Sequence, residues 1–233
     1  MVGYADDMTQ PLRLHYAPDN ASFCVRLALE EISAAYQTTL VDRRILAQKS
    51  PSYLALNPNG LIPVLETPHG PMFETGAILM WLADTYGGLL PLVQDPARAH
   101  ALQWLFWLSN TLHPTQRMLF YPDQYTSGDH AALRTHTRLQ AHLDLLNAAQ
   151  NADWLDADTP SAMSCYLAPL LRWCAIYGGD PSWFDLARWP RLLAFAKRAE
   201  ARPAAQRAAL TEGLGPTPFS NPQRPNPPEG SAL

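Results

Sequence analysis

The hydrophobic pattern of the chain changes well before its midpoint, and this change constrains the fold more than any other feature. Before it, short segments in which apolar and polar residues alternate are mixed with helical segments; beyond it, apolar residues recur only at helical spacing. Gly87, Gly88 and Pro91 interrupt the helices at the change. We therefore predict an α/β domain over residues 11–90 and an all-α domain over residues 95–215.

The first half follows a strand-rich pattern. Leu12, Leu14 and Tyr16 alternate with polar residues, which predicts a first strand whose apolar side chains share one face. The further elements predicted in this half are a helix at 23–35, strands at 36–42, 62–67 and 72–74, and a helix from 78 to 86. The crossover through the first helix predicts a parallel strand pair, and the turn at 69–71 predicts an antiparallel hairpin.

The second half has a helical pattern throughout. Asp95-Pro96 begins a helix that continues through Leu112, because proline suits the first helical turn. The other helices predicted in this half lie at 129–150, 161–177 and 190–200. Residues 216–233 contain six of the 22 prolines, which predicts a polyproline-II or disordered tail.

Charge and cysteine content exclude several classes of protein. A formal net charge of −4 argues against a nucleic-acid partner, which needs a basic face. No apolar run approaches about eighteen residues and the first ten residues have no leader pattern, so we expect a cytoplasmic protein that does not span a membrane. Three cysteines without C-x-x-C spacing predict neither a disulfide framework nor a metal site.

Residues 57–66, N-P-N-G-L-I-P-V-L-E, carry a proline that leads into a strand. Pro63 has no N–H to donate, which suits the beginning or edge of a strand, and X-Pro bonds are the ones that adopt cis readily. A cis bond here would turn the backbone of Ile62 outward, where an extended peptide could pair with it by strand addition. The alternative is that Pro63 has a purely structural role at the edge of a strand and that no ligand binds there.

Glu74-Thr75 lies where a strand meets a helix. Thr75 could cap the helix while free N–H groups there bind a carboxylate, and Glu74 could accept an ammonium group. An ammonium beside a carboxylate describes the head group of an α-amino acid. The alternative is that these residues only begin and cap the helix and that no ligand binds there.

Taken together, these motifs resemble the glutathione transferase family. N-P-x-G-x-x-P-V-L and E-T-G-A-I occur in the family's order, and residues 189–192 and 201–204 resemble its last core helix and R-P ending. The resemblance covers nearly the whole foldable chain. It implies a thioredoxin-like first domain, an all-helical second domain and a homodimer.

The resemblance also implies what the protein binds. Glutathione would be the co-substrate, with its γ-glutamyl head at Glu74 and Thr75 and its cysteinyl backbone paired with Ile62, beside a cis-Pro63. Its thiolate would be transferred to an electrophilic, largely apolar acceptor. A glutathione-dependent disulfide reductase or peroxidase and a non-catalytic binding protein remain as alternatives.

The resemblance leaves the residue that meets the glutathione sulfur open. In this family the loop after the first strand directs a hydroxyl or an N–H at that sulfur. Aligned with beta-class enzymes, Ser22 matches the catalytic serine, and Ala21 replaces their cysteine. Aligned with serine-type insect enzymes, the position is Asn20, whose amide can donate to a thiolate as in nu-class relatives. Both residue types are also ordinary turn and cap residues.

Further candidates surround these positions. His113 matches a histidine that approaches the cleft in beta-class enzymes. Many relatives carry Lys or Gln where this chain has Leu61, so either glutathione binds more weakly or its binding rests on Gln48 and Lys49 instead. The alternative for those two residues is a solvated surface position. The residues expected to line the acceptor pocket are Trp107, His113 and Tyr121.

Overall fold

A computed structural model describes residues 11–125 and 131–232. Its strands are β1 (Leu12–Tyr16), β2 (Tyr36–Leu40), β3 (Val64–Thr67) and β4 (Gly70–Met72). They form one sheet in the order β2–β1–β3–β4. β1 is parallel to β2 and antiparallel to β3, and β4 returns antiparallel to β3. The predicted crossover and the predicted hairpin are therefore both present.

The α-helices of the described residues divide between the two halves of the chain. They are α1 (Ser22–Glu31), α2 (Pro51–Leu54), α3 (Thr75–Tyr86), α4 (Ala97–Trp107), α5 (His113–Phe120), α6 (Ala131–Ala148), α7 (Ala162–Ile176), α8 (Pro190–Ala201) and α9 (Pro203–Thr211). The first three accompany the sheet, and the others form the all-α half. None of these helices is long and apolar enough to cross a membrane.

The helix α1 lies at the centre of the core. It packs against the first strand, α3, α7 and α9, and Phe23, Leu27 and Leu29 are all buried. A helix covered on so many sides must be apolar around most of its circumference. Its one buried charged residue, Arg26, therefore needs a buried partner.

The helices α4 and α5 form one continuous rod, joined by a π-helical turn at Leu108–Leu112. Pro114 follows this turn and has no N–H for a helical hydrogen bond. The wider turn accommodates the proline, so the helix continues to Phe120. The prediction of a long helix through Leu112 is confirmed, and the rod carries His113 beyond that point.

The fourth strand differs from the prediction. It is Gly70–Met72 rather than 72–74, and Pro71 lies inside it, opposite Glu66. β4 is the edge of the sheet, where the missing N–H of a proline interrupts no inner ladder.

Two helix boundaries also differ. α1 ends at Glu31 rather than at 35, because the chain turns into the left-handed region at Ser33. The sequence pattern does not predict α9, since Arg202-Pro203 resembles a helix end; the proline instead occupies the first turn of a new helix. Part of the helix predicted at 129–150 falls on residues 129–130, which lie outside the described residues.

The proline-rich segment 216–232, whose composition predicts a polyproline-II or disordered tail, lies along the body of the protein. The carboxylate of Glu200 accepts the N–H groups of Phe219 and Ser220 at 3.1 and 2.9 Å, and it also accepts the Ser220 hydroxyl. Phe219 is buried, with its ring centroid 6.3 Å from that of Phe23. One carboxylate and one aromatic ring therefore attach the start of this segment to the core.

The same segment continues to the other side of the molecule. Arg172 donates to the carbonyl oxygens of Pro218 and Gln223, at 3.2 and 2.8 Å. Near its end, Arg43 donates to the carbonyl of Ala232 at 2.5 Å. Because proline carbonyls and extended backbone have no internal partners, these side chains supply the hydrogen bonds that the segment cannot make itself.

Gly213→Ala should destabilise the protein more than Gly215→Ala. Both glycines have positive φ, so both alanines carry a left-handed backbone cost of about 1–2 kcal/mol. A Cβ at Gly213 would lie 2.0 Å from the carbonyl oxygen of Asn226, whereas one at Gly215 has no atom within 4 Å. We expect the free energy of unfolding to fall by about 1–3 kcal/mol more in the Gly213 variant, the cost of overpacking, as measured by urea denaturation. Equal losses in the two variants would mean that the segment does not pack there.

Candidate active site

A cavity of about 490 Å³ lies between the sheet and the helical half. The sheet half contributes the loop after β1, the turn before Pro63 and the start of α3. The helical half contributes α5, α7 and the loop that follows α7. The lining residues include Asn20, Ile62, Pro63, Glu74, Thr75, His113, Arg117, Tyr121 and Arg224.

The Ile62–Pro63 peptide bond is cis. The carbonyl of the preceding Leu61 is held by two donors, the Asn57 amide at 2.8 Å and the Tyr53 hydroxyl at 2.9 Å. This pair of hydrogen bonds orients the turn so that Ile62 and Pro63 face the cavity. Ile62 is thus positioned at the cavity wall, as strand addition requires.

Glu74 and Thr75 meet the cavity at the N-terminus of α3. Glu74 has φ 70°, a left-handed conformation that non-glycine residues seldom adopt. Its carboxylate is exposed and makes no capping hydrogen bond, while Thr75 is buried. The first N–H groups of a helix have no partner within it, so this corner offers N–H donors beside a free carboxylate.

Asn20 lines the cavity two residues before the start of α1. Its Oδ1 accepts the N–H of Ala21 at 2.9 Å. The Nδ2 group has no hydrogen-bond partner among the described residues. Asn20 therefore presents an unused N–H donor at the positive end of α1.

Ser22 does not line the cavity. Its side chain is 0% exposed, and its hydroxyl donates to the Ala17 carbonyl at 3.1 Å and accepts the Ala17 N–H at 3.3 Å. Both hydrogen-bonding functions of the hydroxyl are thus used inside the loop. Of the two candidates for the sulfur ligand, the geometry favours Asn20, because Ser22 lies on the face of α1 that is turned into the protein.

Asp19, which the sequence pattern did not single out, holds this loop in place. It is 4% exposed, and its carboxylate accepts both Nε and NH2 of Arg172 at 2.8 and 2.9 Å. Trp173 Nε1 and the Tyr177 hydroxyl add further bonds at 2.8 and 2.6 Å. Burial, and next the charge of Asp19, raise the pKa of Tyr177 well above its usual value, so its hydroxyl remains a donor.

A second buried pair supports the backbone of the same residue. Glu212 accepts the N–H of Asp19 and Nε of Arg26, both at 2.7 Å. Burial raises the pKa of Glu212 to about 7, although Arg26 opposes this shift. Asp19 is therefore bound through its side chain to α7 and through its backbone to the residue that follows α9.

The helical side of the cavity contains His113 and Tyr121, two of the residues named for the acceptor pocket. His113 Nδ1 lies 3.0 Å from the Tyr166 hydroxyl, and burial together with the charge of Arg117 lowers the pKa of His113 to about 4. The imidazole is therefore neutral at pH 7. The Tyr121 hydroxyl accepts from Arg43 at 3.0 Å.

Three predicted residues lie elsewhere. Trp107 packs away from the cavity, with its ring 5.4 Å from that of Trp104 and 5.7 Å from that of His142. Gln48 and Lys49 lie beside Gly60, and Lys49 donates to the Asn59 carbonyl at 3.2 Å. They do not reach the cavity, because the backbone of this stretch packs against the loop before Pro63.

The sequence reasoning missed the arginines of the cavity. Arg43 follows the second strand, Arg117 lies one helical turn after His113, and Arg224 comes from the proline-rich segment. The spacing of Arg117 from His113 was a signal that could have been used, since residues i and i+4 share a helix face. Among residues 11–125 and 131–232, no group of three His, Cys, Asp or Glu side chains is arranged to hold a metal ion.

Comparisons with known proteins agree with this geometry. A family model described as the N-terminal domain of glutathione S-transferase matches residues 10–84. The chain is 31% identical to the glutathione S-transferase GST-4.5 of Xanthomonas campestris, over 87% of this chain and 100% of that protein. The chain belongs to the glutathione S-transferase family.

Two further relatives extend the comparison. The disulfide-bond oxidoreductase YfcG of Escherichia coli is 30% identical over 87% of this chain and 96% of its own. The structure of a sphingomonad glutathione S-transferase complexed with glutathione matches with a TM-score of 0.72 at 29% identity, over 87% of this chain and 100% of that one. The family resemblance and the fold class, a thioredoxin-like domain followed by a helical domain, are thus confirmed.

His113→Gln should flatten the pH dependence of stability between pH 6.5 and about pH 4. The pKa of His113 is lowered from 6.5 to about 4, so within this range the unfolded chain binds a proton that the folded chain does not. The stability contributed by neutral His113 is therefore present above about pH 6.5 and lost as the pH falls toward 4. Urea midpoints across this range measure the effect. If both proteins show the same slope, the pKa of His113 is the same in the folded and unfolded states, and the prediction is wrong.

Proposed function

We propose that the protein binds glutathione in this cavity and transfers its thiolate to an electrophilic, largely apolar acceptor. The observation that carries the proposal is the Nδ2 group of Asn20, which has no hydrogen-bond partner within the described part of the chain. Asn20 lines the same cavity as Ile62 and the Glu74–Thr75 corner. Membership of the glutathione S-transferase family supports the same ligand. The sphingomonad relative is described as a complex with glutathione.

The tripeptide fits these groups from its γ-glutamyl end. Its carboxylate would accept the free N–H groups at the start of α3, and its ammonium would pair with Glu74. Its cysteinyl backbone would pair with Ile62 beside the cis peptide bond. This order brings the cysteinyl sulfur toward the loop that carries Asn20.

The chemical task of that loop is to stabilise a thiolate. A free thiol has a pKa of about 8.5, so it is mostly protonated at pH 7. An N–H donated by Asn20 and the positive end of α1 both favour the charged form and lower that pKa. The sulfur then attacks the electrophilic atom: the new bond to sulfur forms, and the leaving group departs with its electron pair.

Asn20→Ala should raise the pKa of bound glutathione and lower the conjugation rate. A hydrogen bond to a charged group contributes about 1.5–3 kcal/mol, which corresponds to a rise of about one to two pKa units. We expect kcat/KM for 1-chloro-2,4-dinitrobenzene to fall about 10- to 100-fold at pH 7. Thiolate absorbance of the glutathione complex as a function of pH measures the pKa directly.

Ser22→Ala is the matched control for this experiment. Because Ser22 bonds only to Ala17, its loss should lower the free energy of unfolding by about 1–2 kcal/mol while the thiol pKa stays that of the parent protein. The opposite pattern, with the pKa raised by Ser22→Ala alone, would overturn the assignment of Asn20. Absence of glutathione binding at millimolar concentration, measured by calorimetry, would instead favour a non-catalytic binding protein.

Glutathione-dependent reduction of disulfides is the second candidate function. The described cysteines, Cys24, Cys165 and Cys174, are all buried, and burial raises the pKa of each thiol. A disulfide substrate would therefore be attacked by glutathione itself, as an asparagine-type loop permits. The similarity to YfcG, named a disulfide-bond oxidoreductase, favours the same reaction.

The two reactions can be separated with one enzyme preparation. A transferase should turn over 1-chloro-2,4-dinitrobenzene with a higher kcat/KM than bis(2-hydroxyethyl) disulfide. A reductase should show the reverse order. Reduction should persist in the Cys24→Ala variant, because that thiol is not exposed. Loss of reduction in that variant, with binding of glutathione retained, would contradict a mechanism through glutathione alone.

A homodimer and a cytoplasmic location, both expected from the sequence, stay predictions.

A further inference from the structure

The cavity carries positive charge that the proposed contacts of glutathione do not use. Among the described residues, the guanidinium groups that line it belong to Arg43, Arg117 and Arg224, and the carboxylates to Asp19 and Glu74. Asp19 is neutralised by its buried pair with Arg172. Glu74 is assigned to the ammonium of glutathione in the proposed complex. The helical side of the cavity therefore has an excess of cations.

The three arginines differ in how much of their hydrogen-bonding capacity is used. Arg43 is engaged at both terminal nitrogens, one on the Ala232 carbonyl and the other on the Tyr121 hydroxyl. Toward the described residues Arg117 uses only Nε, which donates to the Tyr125 hydroxyl at 3.1 Å. Its guanidinium lies 5.3 Å from the centre of the Tyr121 ring. Arg224 makes no hydrogen bond or ion pair with any described residue.

The two arginines with free donors come from the helical half and the C-terminal segment. Arg117 lies on α5, one turn after His113, and Arg224 directly follows Gln223, whose carbonyl is bound by buried Arg172. The residues proposed to bind glutathione all come from the sheet half. The free guanidinium groups are thus on the side that an acceptor would occupy.

The same side supplies an apolar surface between the charges. Phe120 and Tyr177 form an edge-to-face pair with centroids 6.0 Å apart, and Trp173 and Ile176 complete the wall. The polar atoms of Trp173 and Tyr177 are already used on Asp19, so the rings face a ligand with their apolar parts. Such a surface suits an aromatic ring.

We propose that the acceptor is an aromatic electrophile carrying a carboxylate, which Arg117 and Arg224 bind. The inference rests on the proposed glutathione transfer. Guanidinium groups bind carboxylates by paired, charge-assisted hydrogen bonds, and free donors in a partly enclosed cavity favour such a ligand. When the acceptor is an aryl halide, the sulfur–carbon bond forms at the ring, the carbon–halogen bond breaks and halide leaves with the electron pair. The carboxylate is unchanged.

The test compares two acceptors that differ in charge, 4-chloro-3-nitrobenzoate and 4-chloro-3-nitrobenzamide. For each, kcat/KM with glutathione is divided by the uncatalysed rate constant, which removes the difference in intrinsic reactivity. The wild-type protein should favour the benzoate. Arg224→Gln should reduce the benzoate-to-benzamide ratio about tenfold, as expected for a charge-assisted hydrogen bond to a solvent-accessible guanidinium.

Arg134→Gln is the matched control, because it makes the same charge change on an exposed residue of α6 that does not line the cavity. It should leave the ratio as in the parent protein, and an equal fall in both variants would mean that net charge alone is responsible. If Arg224→Gln raises KM for glutathione and leaves the ratio intact, Arg224 binds glutathione and the inference is wrong.

Measuring the binding of the acceptor itself distinguishes an error in this inference from an error in the proposed function. If neither acceptor is conjugated, glutathione transfer to aryl halides is wrong. Calorimetric titration with 4-chloro-3-nitrobenzoate then still tests the anion site. Weaker binding to Arg224→Gln than to Arg134→Gln supports it, and equal or absent binding overturns it.

Discussion

The ion pair between Asp19 and Arg172 joins three of the parts of the chain that form the cavity. Asp19 lies in the loop after β1, Arg172 lies in α7, and the same guanidinium binds two carbonyls of the C-terminal segment. Neither side chain is exposed, so each charge depends on the other for compensation. Removal of one partner from such a pair leaves an unpaired buried charge, which is among the more destabilising changes that a core can undergo.

This pair also explains how distant residues organise the candidate site. Asn20 follows Asp19 directly, so the donor proposed for the sulfur depends on a residue bound to α7 and, through its N–H, to Glu212. The same Arg172 also binds the carbonyl of Gln223, so it helps to fix the position of the next residue, Arg224. The Nδ2 group of Asn20, which has no partner among the described residues, is kept in position by these contacts of Asp19. Sulfur binding and acceptor binding, as proposed, thus share one structural support.

The sequence-based predictions succeeded and failed for physical reasons. Pro63 and Glu74 could be recognised because their roles depend on residue type and short spacing, and both line the cavity. Alignment places Ser22 in the loop but does not show which way its side chain points, and its hydroxyl lies inside the protein. Trp107 is on the rod that carries His113, yet it faces α6. A helix face is assigned only when the neighbouring helices are known.

The sequence by itself determined the fold class, most of the order of elements and the family, because these depend on local periodicity and on short motifs. Only the tertiary structure decided which donors face the cavity and where the proline-rich segment lies. The contacts responsible are non-local: Asp19 and Arg172 are 153 positions apart. A proline-rich composition predicts an extended backbone without internal hydrogen bonds, but its partners, Arg172 and Glu200, are side chains that folding alone brings to it.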